Sequence, residues 1–133
     1  MRMARAVAPF TLDAFDQAAP YAEDGDVAYA KASIVKTFAG DLAATSTVEM
    51  LSVRAGEEGA GYVALERIVG TLDGLAGTFA LLHMGTMSGG DHWAKWPVVP
   101  GSGTGQLRGI SGEAVIDIAP DGSHTLVLDY VLA

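Results

Sequence analysis

Short apolar runs separated by glycine-containing turns recur roughly every ten residues along the chain, a spacing typical of an all-β sandwich or barrel. Asp-Gly pairs such as Asp73-Gly74 suit hairpin turns, because glycine adopts a positive φ without steric cost. The pattern predicts a β-meander with strands at Ala6 to Phe15, Ala28 to Ala39, Ala44 to Arg54, Gly61 to Leu72, Gly77 to Met87, Trp93 to Val99, Gly103 to Ile110, Ser111 to Ile118 and Ser123 to Leu132. We therefore expect an all-β chain that forms one small antiparallel β-barrel domain over residues 1–133, lipocalin-like in shape.

Both faces of several predicted strands are largely apolar. In the segment from Tyr62 to Val69, alternation places Tyr62, Ala64, Glu66 and Ile68 on one face and their neighbours on the other. The inner face of a barrel lines its lumen, so the outer face needs cover from a partner subunit, a terminal segment or a second sheet. Association into a homo-oligomer is the expected consequence.

Composition narrows the range of partners. The chain has 133 residues, of which 50% are hydrophobic, so one continuous core can form. Its formal charge of −8 argues against nucleic acid and membrane surfaces as partners. The chain has no cysteine, which argues for the cytoplasm. Its apolar start is interrupted by Arg5, Pro9 and Thr11 too often for a signal peptide, so we expect a soluble, cytoplasmic protein.

Five runs, in the same order, resemble a family of small bacterial proteins known as domain of unknown function 3224. The runs are KTFAGDL (36–42), GYVALERIVGTL (61–72), GTFALLHMGTM (77–87), VVPGSGTGQL (98–107) and LDYVL (128–132). The resemblance implies a compact barrel similar to that of allene oxide cyclase, a shape also used by dirigent proteins and by some bacterial cyclases. It implies no agreed activity, and folds of this kind carry unrelated functions.

Two ionisable side chains fall on apolar strand faces. Glu66 is costly to bury unless it is paired or protonated, so it is a candidate general acid or base, or else half of an ion pair with an arginine on a neighbouring strand. His83 follows Phe79 and Leu81 on one face, where an imidazole could shuttle a proton or simply be a hydrogen-bonded core residue. His92 and His124 fall in turn-like contexts and are expected to face solvent.

The remaining candidates are a tyrosine hydroxyl for catalysis, aromatic side chains for a substrate pocket, and a metal site. Tyr130 is the third predicted catalytic residue, and Phe38, Phe79 and Trp96 are predicted to contact substrate, although aromatic residues at strand spacing also occur as plain core. A metal site would need His83 and Glu66 to meet Glu49 or Glu113, and no close ligand pair favours it, so we expect no metal. No cofactor is expected either, because the glycine-rich run 98–107 lacks a phosphate-binding lysine.

Two functions of different kinds fit these residues. The first is a cofactor-independent isomerase or cyclase, in which the lumen holds a small apolar substrate while Glu66, His83 or Tyr130 moves protons. The second is a non-catalytic barrel that binds a small apolar molecule. The fold analogy favours the isomerase or cyclase.

Overall fold

The computed structural model describes residues 3–133 of the chain, and almost all of the regular structure is β-strand. The strands are β1 (Ala4–Gln17), β2 (Ala22–Asp24), β3 (Val27–Phe38), β4 (Leu42–Ala55), β5 (Gly59–Leu72), β6 (Leu75–Ser88), β7 (Asp91–Pro97), β8 (Ile110–Ile118) and β9 (His124–Leu132). One 3-10 helical turn, Gly105–Leu107, interrupts them. The all-β prediction is confirmed. Met1 and Arg2, part of the predicted domain, lie outside the described residues.

Strand β1 closes the sheet into an eight-stranded antiparallel barrel. Consecutive strands from β3 to β9 pair with one another, and β1 pairs with both β9 and β3. Phe10 lies at the seam, since it is opposite Phe38 on β3 and His124 on β9. The short strand β2 pairs only with the start of β3. Closure leaves none of the eight barrel strands with an unpaired edge along its whole length, which removes the usual template for aggregation.

The turn between β5 and β6 forms as the sequence predicts. Asp73 and Gly74 occupy its two central positions with φ angles of 49° and 82°. Two positive φ values in a two-residue hairpin match the right-handed twist of the flanking strands, and Asp tolerates this region better than most residues. The turn aligns β5 with β6 along their full lengths.

The predicted strand Gly103 to Ile110 is wrong, because residues 98–109 form a loop that crosses the start of β6. The hydroxyl of Ser102 accepts a hydrogen bond from the Ala80 amide at 3.0 Å, and the Thr104 amide donates to the Thr78 carbonyl at 2.8 Å. A Cβ atom on Gly77 would lie 2.1 Å from the Thr104 carbonyl oxygen, so only glycine permits this approach. The alternating glycines suit the turns of a crossing loop, and strand β8 begins only at Ile110.

The hydrophobic core fills the half of the barrel that this loop covers. Leu107 of the loop is 1% exposed and packs with side chains from the surrounding strands. The largest members of this core are Phe10, Phe38, Leu42, Ile68, Leu72, Phe79, Leu81, Ile110, Leu126, Leu128 and Tyr130. We call this half the packed half, and the half that contains the β4–β5 and β6–β7 turns the open half.

Candidate functional site

A cluster of four polar side chains lies inside the barrel, next to the packed half. Lys36, Ser46, Glu66 and His83 are the buried polar residues of the described chain, and they come from the four successive strands β3, β4, β5 and β6. Strand alternation directs all four inward, because each shares a face with core residues of its own strand. We refer to these residues as the polar cluster.

Glu66 is the centre of the polar cluster and is only 1% exposed. Its Oε1 atom accepts hydrogen bonds from His83 Nε2 at 2.7 Å and from Lys36 Nζ at 3.3 Å. Its Oε2 atom accepts one from the Ser46 hydroxyl at 2.5 Å. Both carboxylate oxygens are therefore occupied by protein groups. The ion pair expected with an arginine is formed with Lys36 instead, and Arg67 lies exposed on the opposite face, as alternation predicts.

The cluster keeps Glu66 ionised in spite of its burial. Burial raises the pKa of the carboxyl, but the hydrogen bond from His83, the charge of Lys36 and the hydrogen bond from Ser46 together lower it below its ordinary value. The ammonium group of Lys36 also lies 4.7 Å from the centre of the Phe10 ring. A carboxylate and an ammonium thus neutralise each other within the barrel, as buried charges require.

His83 presents its two ring nitrogens to different surroundings. Because Nε2 lies 2.7 Å from a carboxylate oxygen, it donates its proton there, and Nδ1 of the neutral ring is then a hydrogen-bond acceptor. Nδ1 makes no hydrogen bond to the part of the chain that the structure describes. Every fully buried side-chain nitrogen or oxygen of that part has a partner, so Nδ1 is not sealed inside the protein.

A cavity of about 560 Å³ occupies the open half of the barrel. Its walls are mainly apolar, and most of its side chains alternate in phase with the polar cluster, which places it in the lumen. Aromatic and long aliphatic members include Phe15, Met50, Tyr62, Met87, Trp93, Trp96, Ile116 and Ile118, while Ala28, Ala30, Ala60 and Ala94 leave the space between them. The charged or strongly polar members Gln17, Arg54 and His92 are exposed, at its mouth.

Comparison with known proteins agrees with this architecture. A family model described as "Protein of unknown function (DUF3224)" matches residues 6–130. The chain belongs to the DUF3224 family. A crystal structure of a DUF3224 protein of unknown function from Shewanella oneidensis MR-1 is 36% identical to this chain, covering 99% of this chain and 98% of that one, with a TM-score of 0.91. No curated protein matches the chain. The resemblance seen in the five sequence runs is therefore confirmed.

Of the three predicted catalytic residues, this DUF3224 chain brings together two. Glu66 and His83 are hydrogen-bonded partners, whereas Tyr130 lies in the packed half, where its hydroxyl donates to Asp73 in the β5–β6 turn. Burial and the hydrogen bond to the Asp73 carboxylate, with the charge of Asp41, raise the pKa of Tyr130 to about 12. A phenol held on a turn carboxylate and packed in the core is placed to stabilise that end of the barrel.

The predicted substrate contacts divide in the same way. Trp96 lines the cavity, but Phe38 and Phe79 are buried among the side chains of the packed half and do not line it. Phe38 and Phe79 lie where their strands pass through the packed half. The cavity instead uses an aromatic side chain nearer the other strand ends, Tyr62. Alternation gives the facing of a residue but not its depth along the barrel axis, so sequence could not separate the two sets.

The remaining expectations concern acidic and histidine side chains. Glu49 and Glu113 are exposed on the outer face, so neither joins Glu66 and His83 in the cluster that a metal site would have needed. His92 is exposed as predicted, although it lies within β7. His124 is half-buried rather than solvent-facing, because its ring packs 5.3 Å from that of Phe10 across the barrel seam.

Two members of the polar cluster were missed by sequence reasoning. Lys36 falls in the alternating series that includes Ala30, Ala32 and Phe38, all of them buried on β3. That series carried the signal, since a lysine in phase with buried alanines needs an internal counter-charge. Ser46 gave no comparable signal, because a serine is common on either face of a strand.

The outer face of β4 to β6 carries exposed apolar side chains. Leu51, Val63 and Leu65 lie side by side there and are 45%, 50% and 58% exposed. Across the chain as a whole acidic groups outnumber basic ones by 16 to 8, but around this patch lie Lys31, Arg67 and the single carboxylate Glu49. The patch therefore lacks the negative charge that dominates the rest of the chain. No helix in the described residues is long and apolar enough to cross a membrane.

Proposed function

We propose that the barrel binds one small, mainly apolar molecule in the cavity of its open half. The observation that carries this proposal is the cavity itself, about 560 Å³ of lumen with mainly apolar walls and polar groups concentrated at the mouth. Small-molecule sites typically have volumes of about 300–1,000 Å³ and this distribution of polar and apolar groups. The small alanine side chains of the wall leave room where the packed half has leucine and phenylalanine.

Calorimetric titration with naphthalene tests this proposal. Ala30 is buried in the cavity wall, so Ala30→Phe places a ring in the space that the ligand needs, and we expect the affinity for naphthalene to fall about tenfold or more. Ala43→Phe is the matched control, because Ala43 is exposed on the outer face of β4. Unchanged affinity in Ala30→Phe, or a loss confined to Ala43→Phe, would contradict binding in the lumen.

Trp96, one of the two tryptophans of the chain, lines this cavity, so intrinsic fluorescence reports binding without a label. Naphthalene absorbs near tryptophan, so a non-absorbing alkane alcohol is the better probe for this measurement. We expect a saturable change in emission with the wild-type chain and none with Ala30→Phe. A change that never saturates would indicate surface adsorption instead.

A second candidate function is the isomerisation of a bound molecule by proton transfer, as the fold analogy suggests. The observation that favours it is the 2.7 Å hydrogen bond between Glu66 and His83, which orients the imidazole. His83 Nδ1 would take a proton from a carbon beside a carbonyl group and return it to another carbon as the double bond shifts. Glu66 would act only as a positioning residue, since both its oxygens are occupied.

Deuterium incorporation separates isomerisation from binding alone. For a ligand with an acidic C–H bond, incubated in D2O, proton transfer by His83 predicts exchange into the carbon skeleton that the wild-type chain accelerates. We expect the acceleration to vanish in His83→Phe while binding measured by calorimetry persists. Equal exchange with the wild-type chain and with His83→Phe would contradict isomerisation by His83 and leave binding as the function.

A further inference from the structure

Tyr62 carries a hydroxyl group on the wall of the cavity. Its position on β5 alternates in phase with Glu66, and its side chain lines the cavity. Gly85 lies directly opposite on β6, and a Cβ atom placed there would be 2.9 Å from the Tyr62 ring. The ring therefore lies across the inner side of Gly85, towards Ala94, the residue paired with Gly85 on β7.

The indole of Trp96 lies beside the Tyr62 hydroxyl, at the next inward position on β7 after Ala94. Burial raises the pKa of Tyr62, and the hydrogen bond offered by the Trp96 indole offsets only part of that rise. The phenol is therefore neutral at physiological pH. Because an indole N–H can only donate, it approaches the phenol oxygen and leaves the phenol proton free for another acceptor.

The proton of the Tyr62 hydroxyl has no acceptor within the part of the chain that the structure describes. Every fully buried side-chain oxygen of that part has a hydrogen-bond partner, and Tyr62 itself is half-buried. Its ring rests on the wall at Gly85, and Trp96 beside it lines the same cavity. The free hydroxyl proton is thus available to a molecule in the lumen.

We propose that the molecule bound in the cavity carries a carbonyl group whose oxygen accepts a hydrogen bond from the Tyr62 hydroxyl, while its apolar body fills the remaining space. This inference rests on the proposed function and specifies the ligand as an apolar ketone or aldehyde. A hydrocarbon without an acceptor would leave the Tyr62 proton unpaired once it displaced water from the cavity.

The charges around the lumen favour a neutral carbonyl over a carboxylate. The Lys36 ammonium is paired with Glu66 in the polar cluster, and the Arg54 guanidinium is exposed at the cavity mouth. A carboxylate beside Tyr62 would be a charge within mainly apolar walls and without a cation in contact. Burying it would cost several times more than burying a ketone.

Two ligands of the same shape test the inference with the wild-type chain and with Tyr62→Phe. 2-Acetylnaphthalene has a carbonyl oxygen where 2-isopropenylnaphthalene has a methylene group. Calorimetric titration gives the ratio of their affinities for each protein, and comparing the two ratios cancels the difference in hydration between the ligands. We expect the ratio to favour the ketone about three- to tenfold more in the wild-type chain, the usual net effect of one hydrogen bond.

The control is Tyr29→Phe, which removes a hydroxyl from the outer face of β3 and should leave the ratio unchanged. Equal ratios in the wild-type chain and Tyr62→Phe would overturn the anchor but leave binding in the lumen intact. A ratio that falls in Ser52→Ala and not in Tyr62→Phe would also overturn it, because Ser52 is the neighbouring hydroxyl of the cavity wall. No binding of either ligand to the wild-type chain would defeat the proposed function itself.

Infrared spectroscopy of the bound ketone detects the hydrogen bond directly, because hydrogen bonding lowers the stretching frequency of a carbonyl group. We expect 2-acetylnaphthalene, labelled with carbon-13 at the carbonyl, to absorb at a lower frequency in the wild-type chain than in hexane. In Tyr62→Phe the band should return towards its position in hexane. A band at the hexane position in the wild-type chain would overturn the proposal whether or not the variant folds.

Discussion

The packed half and the open half of this barrel are built from the same eight strands, but one is filled by core side chains and the other contains a cavity. In the packed half, large side chains such as Phe79 and Leu72 meet at the axis, and Leu107 from the crossing loop covers them. In the open half, positions of the same facing carry alanine, and the lumen stays open to about 560 Å³. Side-chain size along the barrel axis, rather than strand geometry, separates the core from the cavity.

The polar cluster lies where the two halves meet. Lys36 and Ser46 are in register on β3 and β4 and lie beside the packed core, while His83 is level with the cavity floor. Glu66 links them through both carboxylate oxygens. The cluster thus fixes the orientation of the His83 ring, and its charged pair, Lys36 and Glu66, lies beside the packed core.

The largest expected difference between the halves is the cost of removing an aromatic ring. Phe79→Ala opens a void in the packed half and should lower the free energy of unfolding by about 3–5 kcal/mol. Phe15→Ala is the matched change in the open half, where the ring is 51% exposed, and should cost less than about 1 kcal/mol. Urea unfolding of the two variants measures both values. Similar losses would mean that the open half is as tightly packed as the other.

The next largest effect concerns the buried charge pair. Glu66→Gln leaves the Lys36 ammonium buried without a counter-charge, so we expect a loss of about 3–5 kcal/mol in urea unfolding. Adding Lys36→Met to Glu66→Gln removes that orphaned charge, while the introduced amide can still form hydrogen bonds with His83 and Ser46. The double variant should therefore regain about 1–3 kcal/mol. A double variant less stable than Glu66→Gln alone would show that Lys36 stabilises the barrel by packing rather than by pairing.

Stability should depend on pH through the same carboxylate. The folded pKa of Glu66 is below its ordinary value of 4.5, because His83, Lys36 and Ser46 outweigh the effect of burial. Its contribution is therefore present above pH 4.5 and is lost as the pH falls from 4.5 through the folded pKa. Urea unfolding from neutral to acidic pH should show a steeper loss for the wild-type chain than for the double variant. Parallel curves would mean that other carboxyl groups account for the acid sensitivity.

Much of the barrel and part of the site are predictable from sequence. Alternation alone gave the inward facing of Glu66 and His83, since Tyr62 to Val69 and Phe79 to His83 keep a strict period of two. The same alternation is misleading at Gly103 to Ile110. Small residues repeat there, but the segment belongs to the loop that crosses β6, and its backbone hydrogen bonds are not those of a strand. Strand β2 is absent from the predicted strands, because its three exposed residues carry no periodic signal.

The cavity was beyond sequence reasoning for a different reason. Whether Ala30 and Ala94 face a void or a neighbouring side chain depends on the stagger between strands around the closed barrel. That stagger is set by pairings such as β1 with β3, which join segments far apart in sequence. The ion pair between Glu66 and Lys36 likewise depends on the register of neighbouring strands. Sequence therefore predicts that a buried Glu66 needs a charged partner, but not that the partner is Lys36.

The smallest expected effect concerns the outer face. We expect copies of the chain to associate weakly through Leu51, Val63 and Leu65, where the predominant negative charge is absent. Leu65→Glu places a charge at the centre of the patch and should shift the chain towards monomer in sedimentation equilibrium. Thr71→Glu, on the outer side of β5 near the packed half, is the control. A wild-type chain that stays monomeric at every concentration would contradict this interface.

The most direct test of binding in the open half is a methyl NMR titration with 2-naphthol, using chains labelled at the methionine methyl groups. Met50 and Met87 line the cavity, whereas Met84 faces outward beside Leu51 and Val63. The account predicts saturable shifts for Met50 and Met87, with Met84 unmoved. Shifts at Met84 without shifts at Met50 and Met87 would place the ligand on the outer face and contradict the account.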